Sequence, residues 1–376
     1  MSLLNPRRCD LYRPVQDLES CQLLFNLLTT DDFHHEFHRY SSSLILTLLY
    51  GKRLVTGREP ELEEIENLSS SIVQAVSFGN WAVDAFPFLN FLPRFLSKWK
   101  RVGDDFHRRQ TTLYTRNAAA ALNRTSWSWT KQMTKESDDE TTRKQLTFVL
   151  GEIFEAGSHT TSGALEVAVL ACVSFPDCIK RAQEEFDKVV SNNRLPVFED
   201  VPNLPYMQAF VSEVLRWRPL APGGVPHAPI QDDTYASYHI PKVAAVVANH
   251  WSLDMDEAVF EDPDKFEPDR WLNNADLPLA AFGFGRRTCP GRHLAQSSLL
   301  LVISRLLWAF DIKWKNGQEA QLETLEMTHE GVFSKPCRFE AEIIVRSPVY
   351  ENIVKKSCAG LDTTAEHMLK NISAQF

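Results

Sequence analysis

Hydrophobic runs long enough to cross a bilayer are missing from this sequence, and its first residues, MSLLNPRRCDLYRP, lack the apolar core of a signal peptide. Cysteine is sparse and unpaired. Cys9, Cys21, Cys172, Cys178, Cys289, Cys337 and Cys358 include no C-x-x-C pair, which excludes a zinc ribbon and a dithiol redox motif. An odd, scattered set does not build a secreted disulfide framework. A reducing, cytosol-facing compartment is therefore expected, in which the sequons at Asn67, Asn123 and Asn371 go unused. Positive charge is in deficit, 40 Lys and Arg against 49 Asp and Glu, and the net charge of −9 argues against general nucleic-acid binding. Internal repeats, long low-complexity segments and a G-x-G-x-x-G dinucleotide loop are also absent. What remains is an ordinary globular balance over 376 residues, 44% hydrophobic and 24% charged, enough to bury a sizeable core.

The first half reads helical. DLESCQLLFNLL, RYSSSLILTLLYGKRL (ending near Gly51) and ELEEIENLSSSIVQAVSF carry apolar residues at helical spacing. WAVDAFPFLNFLPRFLSKW, broken by Pro87 and Pro93, suggests short helices at an apolar surface. After a polar linker near Glu136–Asp139, one long helix runs to Pro176. It is apolar nearly all round, so burial is expected. Its centre, Ala156-Gly157-Ser158-His159-Thr160-Thr161, is poor in helix formers, which predicts a distortion or widened groove. A polar helix over about Ile179–Val190 and the helix YMQAFVSEVLRWRP follow. TYASYHI and KVAAVVAN then read as strands, as do DIKW and FEAEIIV further on, and the residues after Pro348 read as a polar extension.

Three motifs carry chemistry. The strongest is Phe282-Gly283-Phe284-Gly285-Arg286-Arg287-Thr288-Cys289-Pro290-Gly291. Its glycines permit a tight turn and close approach to a flat group. Cys289 stands just before a helix, where free N–H groups favour an anionic sulfur and are expected to lower the thiol pKa. Thiolate ligates iron, and Arg287 can pair with a carboxylate. A zinc site from Cys289 and His293 is a rival, but no further ligand lies nearby in sequence. The second motif is Glu213 and Arg216, three apart on one helix face, followed by Phe266-Glu267-Pro268-Asp269-Arg270-Trp271. The third is the helix centre AGSHTT. His34-His35-Glu36-Phe37-His38 has the wrong spacing for the H-E-x-x-H zinc motif and reads as a solvated helix start.

Together these motifs, in this order, resemble the cytochrome P450 family over about Leu4–Ser347. The cysteine loop matches its F-x-x-G-x-R-x-C-x-G signature. WAVDAFPFLNFLP and VPHAPIQDDTYASYHIPK are similar to the filamentous-fungal branch of secondary metabolism, although Val243 replaces the usual glycine after I-P-K. The resemblance implies a mainly α fold with small sheets, one domain over 1–348 with a tail over 349–376, and haem b held by Cys289. It implies a buried triad of Glu213, Arg216 and Arg270. Thr160 would order the water that delivers protons, and Gly157 would leave room for dioxygen. His159 stands where the family has an acid. It either relays protons or hydrogen-bonds across the groove. Phe282 belongs to the haem loop, and His227 matches a position that contacts a haem propionate. Leu220–His227 and Gly331–Phe333 would line the substrate cavity.

The implied reaction inserts one atom of O2 into an apolar organic substrate. Electrons would come from NADPH through a separate flavoprotein reductase, with Arg286, Arg292 and Arg305 placed to dock an acidic partner. Family members of this kind are anchored in the endoplasmic reticulum membrane. Set beside them, the sequence starts within the third major helix, without an anchor, the first strands or a W-x-x-x-R motif, so weak haem retention is expected. Two other functions stay open: a haem-thiolate peroxygenase or isomerase, for which His159 speaks, and an inactive remnant.

Overall fold

The computed structural model describes residues 2–76, 79–136, 139–315, 326–328, 332–361 and 364–376. Gly331, one of the expected cavity residues, lies outside them. The helices of the first half are α1 (Pro6–Leu11), α2 (Arg13–Leu27), α3 (Phe33–Tyr50), α4 (Pro60–Val76), α5 (Ala82–Ala85), α6 (Lys98–Asn123) and α7 (Trp129–Lys135). Then come α8 (Glu140–Ser174), α9 (Pro176–Val189) and α10 (Pro205–Trp217), followed by α11 (His250–Asp254), α12 (Asp269–Asn273), α13 (Arg292–Ala309), α14 (Pro348–Ser357) and α15 (Glu366–Ser373). The boundaries have local causes. Asp32 caps α3 by accepting from His35 N, and Gly51 ends it at φ +66°, where an added Cβ would lie 2.5 Å from Ser126 Oγ. Asp139 caps α8, and Pro176 closes it and starts α9. Among the described residues, no single helix is long and apolar enough to cross a membrane.

The core is built on α8, packed by α3, α13 and α10, with α2 behind α3. Burial on α8 holds for Ala164–Val173, whereas its first half is half-exposed. Across 156–161, where a distortion or widened groove is expected, α8 stays helical without a break. Its hydroxyls bond back to the chain instead of breaking it: Thr160 Oγ1 donates to Ala156 O at 2.7 Å and Ser162 Oγ to Ser158 O at 3.0 Å. From α3, Ser41 Oγ also donates to Ser158 O, at 2.6 Å. Behind α3 lies a charge network that sequence reading did not anticipate. Glu19, fully buried on α2, holds Arg39 at 2.8 Å and Arg53 at 2.7 Å.

Two small antiparallel sheets flank the helices. β1 (Asp233–Tyr235) and β2 (Tyr238–Ile240) form a hairpin whose turn residues, Ala236 and Ser237, both have positive φ. β3 (Phe310–Trp314) and β4 (Ala341–Val345) pair from Phe310↔Val345 to Trp314↔Ala341. Among the described residues KVAAVVAN, expected as a strand, makes the single bridge Val246↔His227 and meets no strand along its length. The residues after Pro348 are no loose extension either. Val354, Leu369 and Ile372 join the main core, and α14 packs on α2 and α13.

Candidate active site

The loop around Cys289 is shaped by two tight turns, Ala280–Phe282 and Gly285–Arg287. Gly283 and Gly285 sit at φ +70° and +59°, which glycine adopts without strain, and each faces open space where a side chain would begin. Cys289 N donates to Phe282 O at 2.8 Å, so Phe282 contributes its carbonyl to hold the loop while its ring packs on the core. The half-buried Cys289 thiol precedes α13. Its pKa is raised, contrary to the sequence expectation. Burial outweighs the opposing pull of the Gly291 and Arg292 amides and the Arg292 charge. The helix end acts with the expected sign, but desolvation of the sulfur is larger. Arg286 and Arg287 are exposed. Arg305, expected beside them at a docking face, is buried instead. It donates to Ser20 Oγ, Pro196 O and the Asp17 carboxylate, so it serves the core.

Below the loop, α10 and the meander before α12 meet on one carboxylate. Glu213 Oε1 and Oε2 each accept from Arg216, both at 2.8 Å, in a bidentate pair. Arg270 Nε reaches Glu213 Oε1 at 3.1 Å, Glu267 N reaches it at 2.9 Å, and Trp271 Nε1 donates to Oε2 at 2.8 Å. Arg216 spends its other N–H groups on Asp254 O and Lys265 O. Glu213 and Arg216 are fully buried. Trp271 was missed as a member of this network. Its place directly after Arg270 was the available signal.

The middle of α8 lines a cavity of about 620 Å³ with α3, α4, the turn after α10 and the Phe333–Lys335 segment. An added Cβ on Gly163 would meet Leu220 at 3.2 Å, and Ser334 N donates to Leu220 O at 2.9 Å, so these segments converge. Ala156, His159 and Thr160 face this space. Gly157 does not open it. Its missing Cβ would sit 2.9 Å from Ile45 Cγ1, so this glycine lets α3 approach α8. The histidines of α3 also depart from expectation. His34, His35 and His38 line the cavity rather than forming a solvated helix start. His34 Nδ1 lies 3.3 Å from the buried Glu166 carboxylate. The i, i+4 spacing of His34 and His38, which puts both on one face, was the signal in the sequence. His227 is exposed, held by its backbone bridge to Val246.

A single thiol before a helix, glycines facing open space and exposed apolar side chains at Val225, Val246 and Phe284 fit a flat apolar group with one soft axial ligand. These features define a haem-thiolate protein. The chain belongs to the cytochrome P450 family, whose profile ("Cytochrome P450") matches residues 25–341. It is 42% identical to the cytochrome P450 monooxygenase aneD of Aspergillus aculeatus, across 99% of this chain and 74% of that protein. Identity is 40% to the cytochrome P450 monooxygenase FrzL of Cladobotryum sp, across 99% of this chain and 73% of that one. It is also 40% to the fumitremorgin C synthase of Neosartorya fischeri, across 85% of this chain and 64% of that protein. A zebra fish cytochrome P450 solved with progesterone has the same fold, with a TM-score of 0.72 over 92% of this chain and 79% of that one at 24% identity. The protein is thus a monooxygenase, an oxidoreductase whose cofactor is haem iron and whose reaction takes O2, an organic substrate and a redox partner.

Proposed function

We propose that this chain inserts one oxygen atom from O2 into an apolar organic substrate of fungal secondary metabolism, with electrons from NADPH delivered by a flavoprotein reductase. The observation that carries the reading is the Cys289 loop, held by Phe282 O and opening onto glycines with no neighbour. Cys289 is the residue to ligate the iron, and Arg287 and His227, both exposed, are the groups to pair with its propionates. When bound, haem supplies an iron that binds and reduces dioxygen.

The chain's own residues do the rest. Thr160 holds its hydroxyl hydrogen on Ala156 O, leaving its lone pairs toward the cavity to accept a hydrogen bond and order a water. His159, one residue before it, supplies an imidazole that can both accept and donate a proton. Leu220 and Phe333 present apolar surface to a substrate. Arg286, exposed, and the half-buried Arg292 offer positive charge to an acidic reductase.

The test is turnover with reductase, NADPH and isotopically labelled dioxygen. One labelled atom should enter product and the other water. Turnover that needs neither reductase nor dioxygen would assign a peroxygenase or isomerase instead.

A further inference from the structure

We propose that His38 is the outer station of the path by which protons reach Thr160, taking them from Glu66 at the cavity's outer side and passing them to His159. The inference rests on the reading of Thr160 and His159 given above and extends it to residues on α3 and α4.

The argument is geometric. The His38 ring lies 5.1 Å from the His159 ring, nearly edge to face at 66°. On one side of His38, Nδ1 lies 3.1 Å from Ser42 Oγ and 3.3 Å from Glu66 Oε1. On the other, Nε2 is buried and has no hydrogen-bond partner among the described residues. A buried polar atom left unpaired is costly, so an imidazole kept in this way inside a cavity calls for a transient partner such as a water. Glu66 is 38% exposed and reaches solvent. Glu66, His38, His159 and Thr160 all line the wall of one cavity.

The charge state suits conduction. Burial pushes His38 down to about 3, helped by His159, Lys335 and His35, so the ring is neutral at ordinary pH. A neutral imidazole conducts without storing charge, since it accepts a proton on one nitrogen and releases one from the other. The step balances simply: for each proton that leaves toward Thr160, one enters from the Glu66 side, and no electron or heavy-atom bond changes. The groups facing His38 are Ser42 and His35 on its own helix, Glu66 from α4, His159 from α8 and Lys335 from the segment before β4. Among the described residues, no three His, Cys, Asp or Glu side chains converge to hold a metal ion, so the histidine cluster is not a metal set.

His38 is thus a positioning residue that acts through His159. The experiment uses the haem-loaded protein with its reductase, comparing His38→Gln, His38→Phe, His38→Glu, Glu66→Gln and Thr160→Ala. The His38→Gln and His38→Phe proteins should keep haem content and the substrate-induced spectral shift. Coupling of NADPH to product should fall on the order of ten-fold, with electrons diverted to peroxide, and the solvent deuterium isotope effect should rise. His38→Glu should restore coupling, and Glu66→Gln, at a part-exposed site, should reproduce the loss in milder form. A readout apart from turnover is hydrogen exchange at the imidazole C2 positions, followed by mass spectrometry across pH. Its midpoint at His159 should move in His38→Phe, while that of the exposed His227 stays. Unchanged coupling, isotope effect and His159 midpoint in the His38 and Glu66 variants would overturn the proposal even though Thr160→Ala uncouples. Coupling intact in Thr160→Ala as well would remove the parent reading, and this proposal with it.

Discussion

Replacing Glu213 with Ala tests how the cysteine loop is supported. Its carboxylate is fully buried and accepts from Arg216 twice, from Arg270, from Trp271 and from the Glu267 amide. Removing it leaves the fully buried Arg216 guanidinium without its ion pair, and Arg270, 7% exposed, with only the Glu267 carboxylate at 3.6 Å. Breaking a buried pair by deleting one partner costs about 3–5 kcal/mol. The bonds Arg216 keeps to Asp254 O and Lys265 O, and the one Arg270 keeps to Glu261 O, hold the loss within that range. Global stability is only about 5–15 kcal/mol, so the variant should express poorly and bind little haem. Glu213→Gln keeps the shape but turns an amide N–H2 toward donors, so its loss should be nearly as large. Chemical denaturation midpoints and haem per chain are the assay. A loss in Glu213→Ala below about 1 kcal/mol, the worth of a surface pair, would refute the reasoning.

Gly157→Val should cost about 1–3 kcal/mol through overpacking against Ile45, and Ile45→Ala should recover part of it in the double variant. Equal denaturation midpoints in the single variant and the parent would show that α3 and α8 do not meet there. Asp254 is buried with Oδ2 unpaired among the described residues, and burial raises its carboxyl to about 7 against the pull of Arg216. The fold thus binds a proton that the unfolded chain has lost between about pH 4 and pH 7, and stability falls as pH rises through that window. Asp254→Asn should gain on the order of 1–4 kcal/mol at pH ~8 and nothing at pH ~3, read from thermal midpoints; an equal gain at both would point to another cause. Thr160→Ala should bind haem and substrate normally yet divert NADPH electrons to peroxide, measured as product formed per NADPH consumed.

The parts of this fold that a sequence can show are those with local causes. The limits of α3 and α8 follow from Asp32, Gly51, Asp139 and Pro176, which act on their own neighbourhood. The meeting of Glu213, Arg216 and Arg270 was implied by family resemblance, and the structure places all three on one another. Features set by distant partners stayed hidden. KVAAVVAN has the composition of a strand but, among the described residues, bridges only at Val246↔His227. Arg305 is a surface residue by type, yet Asp17 and Ser20 lie where α13 packs on α2. The Cys289 thiol shows the same limit in electrostatics. The helix end is visible in the sequence, whereas the depth of burial that outweighs it is not. Gly157 matched a groove motif, but only the packing of Ile45 shows which way the glycine faces.

The central claim is that Cys289 provides the thiolate that makes this chain a haem-thiolate oxygenase. The measurement is the reduced, carbon-monoxide-bound absorption spectrum of the purified protein beside that of Cys289→Ser. The account predicts a red-shifted, thiolate-type Soret band in the parent and its loss in the variant. A thiolate-type band that persists in Cys289→Ser would contradict it.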